Sequence, residues 1–184
     1  MSKVSVQLAA AEDRLREDGM TEEMWGRVVT IPGLSKKVVS CVMAATMPSF
    51  CFRKGFKQDM RGKEWKLTRD VVGDEGIFKP FLVEFLPAGT VCVDGETMLK
   101  YASAYEDCGG QGHGEAMAQD PDRIPTEYEK FSIILPGNIW EDDENYQNVP
   151  ILVRHDGVWG VSFRRFRRGF NQNFRILRVV NSDE

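Results

Sequence analysis

Histidine and cysteine are scarce in this chain of 184 residues, which has two histidines, His113 and His155, and four cysteines. The cysteine spacings match neither a zinc-binding pattern nor a compact disulfide framework. We therefore expect reduced cysteines, no metal site and no cofactor. So few imidazoles also leave little material for a nucleophile activated by histidine, so an enzyme ranks last among the functions considered.

Long apolar runs are absent as well. No stretch approaches the roughly 20 residues that a membrane-spanning helix requires. The N-terminus has one early lysine, Lys3, then a weak apolar stretch and the acids Glu12 and Asp13. This is a poor signal peptide, so we expect a cytoplasmic protein with no membrane partner.

The charges are distributed unevenly along the chain. The total is −4. Residues 81–150 carry a net charge of −11, whereas 48–80 carry +3, 151–184 carry +4 and 1–47 carry none. An acidic middle segment therefore lies between two basic flanks, and this asymmetry predicts a charged partner.

The densest basic group lies near the C-terminus, where phenylalanines alternate with arginines. Arginine binds phosphates or carboxylates through two parallel hydrogen bonds and stacks on aromatic rings. The predicted basic patch consists of Arg164, Arg165, Phe166, Arg167, Arg168, Phe170, Arg175 and Arg178. The predicted acidic patch is the run Glu141, Asp142, Asp143 and Glu144. One alternative stays open: the arginines simply neutralise the acidic segment 81–150 of the same chain.

A second mixture of basic and aromatic residues spans residues 50–69. Such a mixture stacks on bases and neutralises phosphates in proteins that bind single strands. It is equally typical of strands that bury their aromatic side while the lysines reach into solvent.

Residues 106–126 are rich in glycine and have few bulky apolar side chains, which predicts a long mobile loop. Cys108 and His113 lie five residues apart in it. A thiol and an imidazole at this spacing are one candidate for cysteine-dependent catalysis, but no cysteine-hydrolase signature surrounds them. The glycines also lack the Lys-Ser/Thr pair of a phosphate-binding loop. We therefore assign no catalytic residue.

Two hairpins are predicted. Asp156-Gly157 is a typical two-residue turn, which pairs Leu152 with Val161 and Arg154 with Trp159. Leu152 and Trp159 then share a buried face. The second hairpin joins a strand over 78–86 to a return strand over 91–93, with Val91 in the core.

The fold class that these patterns predict is α+β. An N-terminal helical section over 1–47, with about three helices, packs on a β-rich domain over 48–184. The sheet is expected to be mostly antiparallel and either barrel-like or strongly bent. The whole is expected to form one compact domain.

Three functions remain. The leading one is a non-enzymatic interaction protein that docks onto a protein partner through segregated acidic and basic surfaces. In one version the partner is a nucleic-acid-handling complex, and the acidic segment 81–150 mimics phosphates. The first alternative is a nucleic-acid-binding protein that uses segments 50–69 and 163–178. The second alternative is a cysteine-dependent enzyme that uses Cys108.

Overall fold

The computed structural model describes Thr21 and residues 47–181. The chain divides into two compact units, Met1–Met47 and Pro48–Glu184. The three helices predicted for residues 1–47 lie outside the described residues.

Ten strands and two α-helices are present between residues 47 and 181. The strands are β1 (Phe50–Phe52), β2 (Lys66–Asp70), β3 (Gly76–Val83), β4 (Cys92–Val93), β5 (Ser132–Ile134), β6 (Asn138–Glu141), β7 (Gln147–His155), β8 (Val158–Arg165), β9 (Phe170–Asn171) and β10 (Phe174–Asn181). The helices are α1 (Gly95–Ala102) and α2 (Gln111–Gln119).

Eight of these strands form one open sheet. Its order is β1-β3-β10-β5-β7-β6-β2, and β8 pairs with β7 in addition. Every pairing is antiparallel except that of β5 with β10. The terminal strands β1 and β2 do not pair with each other, so the sheet of the described residues is not closed.

The predicted fold class is therefore wrong. The sheet is not barrel-like, and both helices of residues 47–181 lie within the β-rich part, between β4 and β5, rather than before it. The physical reason is that α2 packs on the sheet and contacts β1, β7 and β8. Most of its residues, among them Gly112, Gly114 and Met117, are buried, so this part of the chain does not separate into a helical end and a sheet end.

The hairpin around Asp156-Gly157 is confirmed. Leu152 pairs with Val161 and Arg154 with Trp159, and the turn residues have φ angles of 49° and 84°. Both angles are positive, as the tight turn requires. Leu152 and Trp159 are buried, as predicted.

The second predicted hairpin is wrong. β3 pairs with β1 and β10, whereas β4 pairs with β9, far along the chain. Val91 is 81% exposed instead of buried. Pairing with distant strands leaves no local signal, so alternation alone misassigned the partners.

Helix α2 replaces the loop predicted near 106–126. It is buried although it contains Gly112 and Gly114. A Cβ atom on Gly112 would come within 2.5 Å of Phe52 Cε2, and one on Gly114 would collide with Leu135. Glycine costs helix stability, but here it lets the helix backbone approach the sheet closely.

Among the described residues, no helix is long and apolar enough to cross a membrane. The cytoplasmic location stays a prediction.

Candidate interaction surfaces

The six predicted arginines do not form one exposed patch, because most of them bind groups of this chain. Arg178 donates two hydrogen bonds to the Asp107 carboxylate, at 2.7 and 2.6 Å. Arg175 is 8% exposed and lies 4.2 Å from the centre of the Phe131 ring, with Glu84 3.8 Å away. Both guanidinium groups stabilise the fold; Arg175 is buried, whereas the Arg178 side chain stays partly exposed beside Asp107.

Arg164 is also held internally. Its guanidinium donates to the carbonyl oxygens of Arg168 and Gly169, at 2.8 to 3.0 Å. It lies over the rings of Phe170 and Phe174, at 5.5 and 4.8 Å. Burial, together with the nearby charge of Arg168, lowers the pKa of Arg164. Phe170 is fully buried, so it belongs to the core rather than to a binding surface.

The acidic run lies in the turn between β6 and β7. Asp142 is 4% exposed and accepts hydrogen bonds from Tyr146 N–H and Asn148 Nδ2. Burial alone would raise the pKa of Asp142, but these hydrogen bonds and the charge of Arg165 outweigh it and hold the pKa below the usual value. The sequence predicted a solvent-exposed acidic patch, whereas Asp142 organises the turn.

The neighbours of Asp142 are paired as well. Glu141 lies 3.5 Å from Lys66, and Arg165 contacts Glu144 at 2.9 Å and Asp142 at 3.0 Å. The carboxylate partners of Arg165, Arg175 and Arg178 all belong to residues 81–150. These arginines thus pair with four of the fourteen acidic side chains of residues 81–150, so the open alternative holds for part of the segment.

Some predicted residues do meet at one surface. Tyr146 is 39% exposed, and two guanidinium groups lie over its ring, Arg165 at 4.6 Å and Arg167 at 4.5 Å from the ring centre. A cavity of about 470 Å³ opens beside it, lined in part by Phe166 and by Glu96 of α1. We call Tyr146, Arg165, Arg167 and Glu96 the arginine–tyrosine surface; Phe166, predicted for the basic patch, is 8% exposed and belongs to the core cluster, as Phe170 does. The arginine–tyrosine surface carries both signs of charge.

A second surface lies in the segment between β1 and β2. Six cationic side chains, all exposed, project from residues 53–66, which we call the basic segment. They are Arg53, Lys54, Lys57, Arg61, Lys63 and Lys66. Two cavities, of about 230 and 550 Å³, adjoin the segment, and both are lined by Phe56 and Gly112.

Buried polar side chains of α2 anchor the basic segment. The Glu115 carboxylate accepts hydrogen bonds from Lys57 N–H at 2.7 Å and Gln58 N–H at 3.1 Å. Gln111 Nε2 donates to Gln58 O at 2.9 Å and to Glu115 Oε1 at 2.8 Å. Trp140 Nε1 in turn donates to Gln111 Oε1. The backbone of residues 57 and 58 is therefore fixed while the side chains of Lys57 and its neighbours remain in solvent.

Cys108 and His113 are both buried, and their side chains form hydrogen bonds with the backbone of this chain. The Cys108 thiol donates to Ala102 O at 3.3 Å, and burial raises its pKa to about 11. His113 Nδ1 accepts from Gly110 N–H, and burial lowers the pKa of its imidazole to about 4. A thiol that resists ionisation is a poor nucleophile, so the arrangement does not favour catalysis at Cys108.

The sequence missed Tyr146 and Glu115. Tyr146 follows the acidic run directly, but no local pattern indicated that two arginines would stack on it. Glu115 was not identified because the glycine-rich sequence of its helix predicts a loop. Among the described residues, no group of three or more histidine, cysteine or acidic side chains is arranged to hold a metal ion.

Comparison with known proteins adds no family. No protein-family model, curated protein or solved structure matches this chain.

Proposed function

We propose that this protein is a non-enzymatic interaction protein that docks onto a protein partner through the arginine–tyrosine surface. The observation that carries the proposal is the partly exposed Tyr146 ring, which both Arg165 and Arg167 contact through their guanidinium groups. Tyrosine and arginine are enriched in the centres of protein interfaces and supply much of the binding energy there. A ring that is already fixed loses little conformational freedom on binding.

The charges of this surface favour a protein over a polyanion. Glu96 and Glu144 lie close to the same guanidinium groups, so a nucleic acid would meet repulsion as well as attraction. A protein partner can present both signs in a complementary arrangement. The version in which the acidic segment 81–150 mimics phosphates has less support, since in its densest acidic run Asp142 is buried and Glu141 and Glu144 are paired.

The test compares two tagged variants with the wild-type protein. Tyr146→Ala combined with Arg167→Glu removes the ring and reverses the exposed charge. Lys63→Glu reverses an exposed charge of the basic segment and serves as the control. Each protein is expressed in its native cells, purified after nuclease treatment, and its bound proteins are quantified by mass spectrometry.

We expect one protein to be recovered with the wild type and with Lys63→Glu, and to decrease at least about tenfold with the double variant. Loss of an interface anchor typically costs about 2 kcal/mol or more, which is consistent with such a decrease. Direct calorimetry with the purified partner should give similar affinities for the wild type and Lys63→Glu and a weaker affinity for the double variant. Equal recovery of every bound protein by the double variant, with its fold intact by circular dichroism, would refute the proposal.

A further inference from the structure

The basic segment has six cationic and two acidic side chains, Asp59 and Glu64, so it keeps a net positive charge of +4. Arg53, Lys57 and Lys63 form no ion pair with any residue that the structure describes. The other three cations pair with side chains at the surface: Lys54 with Asp74, Arg61 with Asp59 and Lys66 with Glu141. Exposed pairs of this kind contribute little and exchange readily, so these cations are also accessible to a ligand.

Phe56 lies among these cations. Its ring is half-buried and meets Trp140 edge-on, with the ring centres 5.3 Å apart. Phe56 lines both cavities of the segment, one shared with Lys54 and Arg61 and the other with Arg53 and Lys57. An aromatic ring with cations on either side is the arrangement by which proteins stack one base and bind the adjacent phosphates.

The segment is also organised before any ligand binds. Glu115 and Gln111 hold the backbone at Lys57 and Gln58, and Glu75 accepts a hydrogen bond from Lys54 N–H at 2.6 Å. Gly112 of α2 forms part of the wall of both cavities. A ligand therefore does not have to order this backbone, which reduces the entropic cost of binding.

We propose that the basic segment is a binding surface for single-stranded nucleic acid, in which a base stacks on Phe56 and the surrounding cations contact phosphates. This function is separate from the protein-docking role of the arginine–tyrosine surface. The base must be unpaired, because the faces of paired bases are covered by their neighbours in a duplex. An acidic protein segment could use the cations, but it would gain nothing specific from the ring.

The test is fluorescence anisotropy of a labelled oligothymidine titrated with the full chain at several salt concentrations. We expect log affinity to fall linearly with log salt concentration. Arg53→Glu with Lys57→Glu should weaken binding at least about tenfold, since several phosphate contacts are reversed. The matched control, Arg167→Glu with Arg168→Glu, makes the same change in net charge on the other surface and should change affinity less than about threefold.

Phe56→Leu isolates the stacking step, because leucine keeps apolar contact with Trp140 but offers no ring. It should weaken single-strand binding about tenfold, as expected for the loss of one stacked base. Three results would overturn the proposal: no binding at low salt, equal loss in the two charge-reversal variants, or duplex binding as tight as single-strand binding with no effect of Phe56→Leu. Equal affinity for a labelled polyglutamate peptide would instead identify an acidic protein as the ligand.

Discussion

The two basic segments of this protein both mix cationic and aromatic residues, but they have different structural roles. Residues 53–66 contain four lysines and two arginines, whereas residues 164–178 contain six arginines and no lysine. In the first segment the charged groups remain in solvent and the backbone is held. In the second, Arg164, Arg165, Arg175 and Arg178 are themselves the groups that bind the fold together.

The difference follows from the chemistry of the side chains. A guanidinium group is planar, carries five donors and stacks on rings, so it can bind carbonyl oxygens and an aromatic face at once. Arg164 does this with Gly169 and Phe174. A lysine ammonium is compact and strongly hydrated, so burial gains less for it. A run of arginines beside phenylalanines can therefore indicate internal cross-links as readily as a nucleic-acid surface.

The strongest test of this comparison removes the anchor of the basic segment. Glu115→Ala leaves Lys57 N–H, Gln58 N–H and Gln111 Nε2 without the carboxylate that accepts their hydrogen bonds. Each buried donor left unpaired costs about 1–3 kcal/mol, so we expect the free energy of unfolding to fall by about 3–4 kcal/mol. Urea denaturation measures this loss.

Glu127→Ala is the control, because this side chain is exposed, and it should change stability by less than about 0.5 kcal/mol. Hydrogen exchange adds a local readout: in Glu115→Ala the amides of Lys57 and Gln58 should exchange faster than in the wild type. If both amides keep their protection, the carboxylate is not what fixes the segment.

The second test addresses the arginine side of the comparison with two neighbouring residues. Arg164→Ala removes three hydrogen bonds to carbonyl oxygens and the contact with Phe174, so we expect a loss of about 2 kcal/mol. Arg168→Ala removes an exposed side chain that forms no ion pair within residues 47–181 and should stay within about 0.5 kcal/mol. Thermal and urea unfolding of the two variants compare them directly. Equal losses of stability in the two variants would show that the internal hydrogen bonds of Arg164 do not distinguish it from Arg168.

The sequence predicted local features correctly and distant ones poorly. The Asp156-Gly157 turn and the register of β7 with β8 follow from neighbouring residues, because the turn length fixes which residues pair. By contrast, β3 pairs with β10, about 100 residues further along the chain, and no local pattern reports such a partner. The predicted return strand at 91–93 was the nearest candidate and the wrong one.

The loop prediction for the residues of helix α2 was wrong for a related reason. The propensities of its glycines predict a loop, and only the closeness of Phe52 and Leu135 explains why glycine is present. The charged residues of both surfaces were visible in the sequence, but their pairing was not. Asp107 and Arg178 are 71 residues apart, so only the fold shows that this arginine is occupied.

The smallest expected effect concerns pH and tests the helix that carries the anchor. The His113 ring stacks on Phe52 with ring centres 4.2 Å apart, and burial lowers its pKa from 6.5 to about 4. Between pH 6.5 and 5 the unfolded chain therefore takes up a proton at this site while the folded chain does not. Stability should decrease over this range by about 1.5 kcal/mol, because each unit of pKa difference corresponds to about 1.4 kcal/mol.

Urea denaturation at several pH values measures how the free energy of unfolding changes with pH. The comparison of two variants shows whether His113 causes this slope. His113→Gln should lose most of the slope between pH 6.5 and 5, even if the variant is less stable at every pH, whereas His155→Gln, which alters an exposed imidazole, should keep it. Most carboxylates stay ionised above pH 5 and add little. If the free energy of unfolding of His113→Gln still falls between pH 6.5 and 5, a buried group other than His113 causes the pH dependence.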